Sequence, residues 1–467
     1  MSFRKAGEGD EITDAECIIS RRIRSRGHSI YKITDGEGEL EFESGSYFNI
    51  GQGLKVSGKV YNDRGFLKID VGSLKKTDGI YPKILQKIEN NVEIKDVPLL
   101  ASGETMEKLK ERIHGCARKL LTAKKTGRFC LLRFHNDADG ISGALALTKI
   151  IDAYASQQNS ATYSVFDAMR DINTLQGENH PLAIILDFGC GEDSREGLEL
   201  LKASGAEVMV IDHHPNTGKA EEKTDVFLNP WAVNDSESAS SYTAGYLAVE
   251  VARACGEFGA EPLAPVACAG DKSTIIEISE KDVEKALVID YMATYAGFKN
   301  KLEFYKKALD NQDLYSSVLI QAKEALEKIT EDVKAGMKKR LDGPVSVYTI
   351  DTERIKSREF PGKGKITTRC FELVGESPTV VLGFWNRGLS FRINDGAVQN
   401  GVRADRIIEI LKKEMGDFVF GGGGHARAAS MRVREGFVDS VLDKIIEIVK
   451  EGGEAAKPGG LASGTNF

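Results

Sequence analysis

Residues 207–215 read EVMVIDHHP, in which Val208, Met209, Val210 and Ile211 run straight into Asp212, His213 and His214. The chain holds seven histidines, and two of them stand side by side here. A short unbroken apolar run is the pattern of a strand buried on both faces, as in a parallel sheet. The preceding stretch, SREGLELLKASG (194–205), has helical spacing and ends on Gly205, placed to close a helix and turn the chain into the strand.

Working outward, the same alternation recurs. RFCLLRF (128–134), ATYSVF (161–166) and LAIILDF (182–188) read as further strands, with ISGALALTKIIDAY (141–154) as a helix among them. Strands alternating with helices make βαβ units, so this region is an α/β lobe on a parallel sheet. Its acids and histidines cluster at strand ends: His135, Asp137 and Asp139 in HNDADG, Asp187 in LAIILDF, and Asp212, His213 and His214 in the opening motif. In an open parallel sheet the carboxyl ends share one edge, where ligands bind. Carboxylates brought together there repel unless they take up protons or bind cations. Carboxylate and imidazole donors without a thiolate suit Mn²⁺ or Mg²⁺, with zinc or iron as alternatives. The donors outnumber the needs of one ion, which points to two, the clamp used in phosphoester hydrolysis.

The remaining chain divides around this lobe. Residues 1–95 carry short β-rich runs separated by glycines and Asp-Gly pairs, a pattern resembling a small OB-like β-barrel that binds nucleic acid. Arg21, Arg22, Arg24 and Arg26, with Tyr31, Tyr47, Phe48, Tyr61 or Phe66, are candidates to track a single strand by ion pairing and stacking. A helical connector is expected at 96–127, the parallel-sheet lobe at 128–275 and a helical linker at 276–341. A second, smaller α/β lobe is expected at 342–450, and a flexible tail rich in Gly, Ala and Ser at 451–467. The seven cysteines include no CxxC pair, which argues against a disulfide framework or a thiolate zinc site. Net charge is −7, so nucleic-acid binding needs local basic patches. No apolar run reaches the roughly 18 residues of a membrane span, and MSFRKAGEGDE lacks a signal-peptide core; a cytoplasmic location is expected.

HNDADG, LDFG, IDHHP and the later Gly-Asp of ACAGDKS (267–273), in that order, resemble the four motifs of the DHH phosphoesterases. LSFR (389–392) followed by GGGGHARAA (421–429) resembles the family's associated C-terminal domain. Within the superfamily the chain is similar to RecJ-like exonucleases of the archaeal kind. The resemblance implies metal ligands at His135, Asp137, Asp139, Asp187, Asp212, His213 and Asp271, with Asp187 bridging two Mn²⁺ ions (or Mg²⁺). It implies that His214 addresses the scissile phosphate and that Arg392, Gly421, Gly422, Gly423, Gly424, His425 and Arg427 bind substrate. The implied activity is exonucleolytic hydrolysis of single-stranded DNA or RNA to mononucleotides by a metal-activated hydroxide, with replication or repair proteins as candidate partners. The alternatives are a phosphodiesterase of short oligonucleotides or cyclic dinucleotides, and a non-catalytic replication scaffold.

Overall fold

The computed structural model describes residues 2–24, 27–295, 302–356, 360–374 and 377–455. They form two units, one mainly Met1–Asp235 with Ser241–Ala286, the other mainly Phe304–Phe467. Arg26 and residues 456–467 of the expected tail lie outside the described residues.

The first unit opens with β1 (Glu11–Arg24), β2 (Ser29–Thr34), β3 (Glu39–Ser44), β4 (Gly53–Asp63) and β5 (Phe66–Lys76). They close into a barrel in the order β1-β2-β3-β5-β4, with β4 pairing back to β1. Alternate residues such as Ile33, Leu40, Val56 and Ile69 fill its interior. Tyr31 and Phe48, candidates for stacking on a bound strand, belong to this core instead. Their rings pack on each other at 5.2 Å and on Phe42 at 5.3 and 5.9 Å. Tyr47, Tyr61 and Phe66 are exposed.

Helices Ile80–Asn91 and Glu104–Thr126 follow the barrel. Ile80, Ile84 and Ile88 of the first pack with Ile18 of β1 and Leu121 of the second, tying barrel and helices together.

The parallel sheet consists of β6 (Cys130–His135), β7 (Tyr154–Gln158), β8 (Leu182–Leu186), β9 (Glu207–Ile211) and β10 (Val226–Leu228), in the order β10-β9-β8-β6-β7. EVMVI is β9, flanked by β8 and β10, and Val208 to Ile211 are fully buried. Gly205 has φ +89°, the left-handed turn expected after the helix Arg195–Ala203. From β6 the chain runs to edge strand β7 and returns to β8 on the other side of β6, so the sheet reverses its winding between β6 and β8.

ATYSVF is not a strand. The edge strand is the more polar YASQQ, and Ser164 begins the helix Val165–Leu175 through a capping box with Asp167. The box satisfies backbone donors at that point, so Val165 and Phe166 lie in the first helical turn despite their β-favouring side chains.

In the second unit lie helix Gln312–Gly336 and then β11 (Lys338–Leu341), β12 (Ser346–Asp351), β13 (Thr379–Trp385), β14 (Gly388–Ile393), β15 (Val419–His425) and β16 (Ala428–Val433). The sheet order is β11-β12-β13-β14-β16-β15. Helices Ala404–Glu414 and Val438–Ala455 carry Ile407, Leu411, Val441 and Ile445 into a core with Val380, Leu389 and Phe391. Residues 338–341, expected within a helical linker, form an exposed edge strand, and residues 451–455, expected in the tail, continue the last helix. No helix among the described residues is long and apolar enough to cross a membrane.

Candidate metal centre

The ends of β6, β8 and β9 bring the sequence-distant acids and histidines together. His135 closes β6. Asp137 then caps helix Ala138–Leu147, accepting the Gly140 N–H at 3.0 Å through one oxygen and lying 2.6 Å from His135 Nδ1 through the other. Asp139, in the first turn, is fully buried and accepts the N–H groups of Ala244 and Gly245, both at 2.9 Å. These begin helix Ala244–Ala254, whose positive end suits a carboxylate. A Cβ on Gly245 would lie 2.8 Å from Asp139 Oδ1, so the approach requires glycine.

Asp187 follows β8 with φ +67°, a conformation rare for a residue with a side chain. Its backbone N–H donates to Ile211 O at 2.8 Å, extending the β8–β9 pairing. Its side chain is buried, and Oδ1 has no hydrogen-bond partner. Oδ1 stands 3.4 Å from His213 Nε2, and Oδ2 stands 3.5 Å from His135 Nδ1. Asp271, at the end of helix Ala264–Gly270, reaches the same His213 nitrogen at 3.2 Å, and Asp139 stands 3.9 Å from it.

Three groups result whose ligand atoms lie within 4.8 Å of one another: His135, Asp137 and Asp187; Asp139, His213 and Asp271; and Asp187, His213 and His214. Asp187 belongs to two of them. A buried carboxylate oxygen without a hydrogen bond is costly unless something else satisfies it, and a divalent cation does so. The donor set, oxygens and imidazoles only, fits Mn²⁺ or Mg²⁺ chemistry.

The electrostatics agree. Burial opposes charge on His135 and His213, yet the surrounding carboxylates hold both well above the ordinary histidine range. Burial and the charges of Asp187 and Asp271 push Asp139 well up. Asp271, a third exposed, is pushed up to about 6 by partial desolvation, with Asp137 and Asp187 adding to it against His213. A divalent cation would relieve the same repulsion.

Asp212 stands apart from this set. It is fully buried and lies in none of the three groups. One oxygen accepts the N–H groups of His213 at 2.7 Å and His214 at 3.1 Å and meets His214 Nδ1 at 2.8 Å; the other accepts the Cys190 N–H at 3.2 Å. Burial alone would raise its pKa, but His214 and these donors hold it well below the carboxylate range. Its lone pairs are occupied in orienting the histidines. His214 is half-buried, with Nδ1 fixed on Asp212.

Two residues that sequence reasoning missed complete the cradle. Buried Asn229 donates to His214 O at 2.9 Å, and Trp231 Nε1 donates to His213 O at 3.1 Å. The signal available was an asparagine directly after the short apolar run VFL.

In the second unit, Arg392 on β14 donates to Thr368 Oγ1 at 2.9 Å and Phe391 O at 2.7 Å, and Arg427 pairs with Asp395 at 2.5 Å. The Arg427 N–H donates to His425 Nδ1 at 3.3 Å. Gly421–Gly424 lie in edge strand β15, and a Cβ on Gly422 would come within 2.8 Å of Met431 Cβ on β16. Strand pairing accounts for that glycine, whereas Gly423 faces open space.

Residues 131–270 match the model of the DHH family, N-terminal domain. An uncharacterized protein of Methanocaldococcus jannaschii is 26% identical across 94% of this chain and 69% of its own length. The solved DHH domain of a member of a ribosomal-protein family superposes with a TM-score of 0.72 at 26% identity, over 79% of this chain and 97% of that one. RecJ of Thermus thermophilus, solved with Mn²⁺, is more distant: TM-score 0.47 and 16% identity, over 73% of this chain and 55% of that one. Residues 131–270, with their acids and histidines gathered at one sheet edge, are a DHH-family N-terminal domain, that of a phosphoester hydrolase.

Proposed function

We propose that this protein is a metal-dependent exonuclease that shortens single-stranded DNA or RNA to mononucleotides, using two Mn²⁺ ions. The observation that carries the reading is Asp187, a buried carboxylate whose Oδ1 makes no hydrogen bond and which stands between His135 and His213. His135, Asp137 and Asp187 would hold one ion, and Asp139, Asp187, His213 and Asp271 the other. Ions bound there supply Lewis acidity and lower the pKa of water.

The chain's own groups do the rest. His214, with Nδ1 held by Asp212, presents its other nitrogen as a hydrogen-bond donor to a phosphate oxygen, and Asp212 raises its pKa against burial, which favours that donor form. Arg392 and Arg427 would add positive charge and His425 a ring N–H for a substrate phosphate, and Gly421–Gly424 offer backbone without bulk. The barrel, OB-like in this reading, presents exposed Tyr47, Tyr61 and Phe66 for base stacking, with the Arg22 guanidinium 4.3 Å over the Tyr47 ring. Such an enzyme suits replication or repair.

Labelled single strands of graded length, incubated with Mn²⁺, test the reading. A ladder of successively shorter products supports it. Cleavage confined to dimers would favour a short-oligonucleotide phosphodiesterase, and strand binding without cleavage under any divalent ion would leave a scaffold.

A further inference from the structure

We infer that a second contact site for the single strand lies in the groove between the outer wall of the barrel and the end of helix Glu104–Thr126, apart from the exposed aromatics. The groove encloses about 530 Å³, and its walls carry Arg21, Lys32, Lys95, Lys124 and Lys125. Glu39 offsets Lys32 at 2.8 Å and Glu93 offsets Lys95 at 2.5 Å. Arg21, Lys124 and Lys125 make no ion pair with a described residue.

A helix dipole favours lysines in a last turn, which accounts for Lys124 and Lys125. It does not account for Arg21, which stands directly across the ladder from Lys32. Glu39 already offsets Lys32, so Arg21 is left beside it without a carboxylate of its own, and a bound anion would supply one. Three uncompensated cations thus gather in one groove of a chain whose net charge is −7. Val92, Leu121 and Cys255 supply an apolar floor beneath them. Repeated anionic charge beside apolar rings and sugars is the chemistry of a single-stranded nucleic acid, and binding would be carried by its backbone. An acidic peptide shares the charge but lacks rings and sugars for the floor. The inference rests on the proposed function for its choice of ligand, while its test reads binding and not cleavage.

The experiment compares the full chain with Arg21→Ala/Lys124→Ala/Lys125→Ala, using fluorescence anisotropy of a labelled single strand of about 20 nucleotides over a salt series. Lys124→Ala/Lys125→Ala serves if the triple variant fails to fold, and Lys306→Ala/Lys307→Ala is the control matched in charge to this double variant. The triple variant is expected to bind about tenfold more weakly at low salt. Its log–log salt slope should fall by about 2, roughly 0.7 for each lost phosphate contact. The control should match the parent. Unchanged affinity and slope would overturn the site. So would a labelled polyglutamate peptide losing affinity in the variant while the strand does not, since the groove would then be a protein-docking surface. A parent that binds strands through this groove yet never cuts them would sink the hydrolase reading and leave the groove standing.

Discussion

Asp187 Oδ1 lies 3.4 Å from His213 Nε2, in a buried position where it makes no hydrogen bond. Two donor atoms, one from the end of β8 and one just past β9, thus face a shared space. The left-handed backbone at Asp187 is what turns its carboxylate there, a strain that persists at sites where geometry serves a task.

Metal binding should therefore be visible as stability. With Mn²⁺ at about a hundredfold over its dissociation constant, the folded state gains about 2.7 kcal/mol. Differential scanning fluorimetry should show a higher Tm with Mn²⁺, reversed by a chelator. Asp187→Asn, which keeps the shape and tolerates the left-handed backbone, should fold and lose the shift; a full shift in that variant would remove Asp187 from the centre.

The histidine pair and its aspartate should separate by phenotype. His213→Ala is expected to lose Mn²⁺ affinity outright. Asp212→Asn should retain Mn²⁺ binding but lower turnover by about 10–100-fold, the usual effect of removing a group that orients its neighbours. Isothermal titration beside kinetics distinguishes them, and loss of metal from Asp212→Asn would make it a ligand.

The pH behaviour follows from Asp271. Partial desolvation, reinforced by Asp137 and Asp187, raises it above its ordinary 3.8 to about 6, so its proton is held more tightly in the folded than in the unfolded chain. The resulting stability is fully present below 3.8 and is lost as pH rises through about 6. Asp212 has the opposite sign: held low, its contribution is present above the ordinary carboxylate range and lost as pH falls through the depressed value. In metal-free protein, Asp271→Asn should thus gain stability over the parent at pH about 7.5 and show little gain near pH 4. Chemical denaturation at both values checks this, and an equal effect at the two pH values would contradict it.

VMVI and LAIIL announce buried parallel strands because both faces are covered and no polar residue interrupts them, and in RFCLLRF the one charge inside the strand, Arg133, is buried against Asp171. The acids at their ends follow from sheet topology, which is why His135, Asp187 and His213 are legible from the amino-acid pattern alone. YASQQ is hidden because an edge strand needs little apolar content, and ATYSVF misleads because a capping box overrides its propensity. Tyr31 and Phe48 cannot be told from exposed aromatics by pattern, since barrel closure decides which face they occupy. The pattern places Asp212 beside the histidines as ligand or orienter, and the four donors that converge on it appear only once β9 is flanked.

The glycine run offers a stability contrast. Gly422→Ala drives a Cβ to 2.8 Å from Met431 Cβ at φ +149°, so it should destabilise the second unit by about 1–3 kcal/mol. Gly423→Ala meets open space and should fall within about 0.5 kcal/mol of the parent. Thermal unfolding of the two variants checks the order, and equal losses would show that β15 does not pair with β16 in this register.

The most direct test is product analysis of an end-labelled single strand incubated with the purified chain and Mn²⁺, resolved over time. The account requires stepwise shortening to mononucleotides that stops on chelation and is absent in Asp187→Asn. Metal-independent cleavage, or none under any divalent ion despite strand binding, would contradict it.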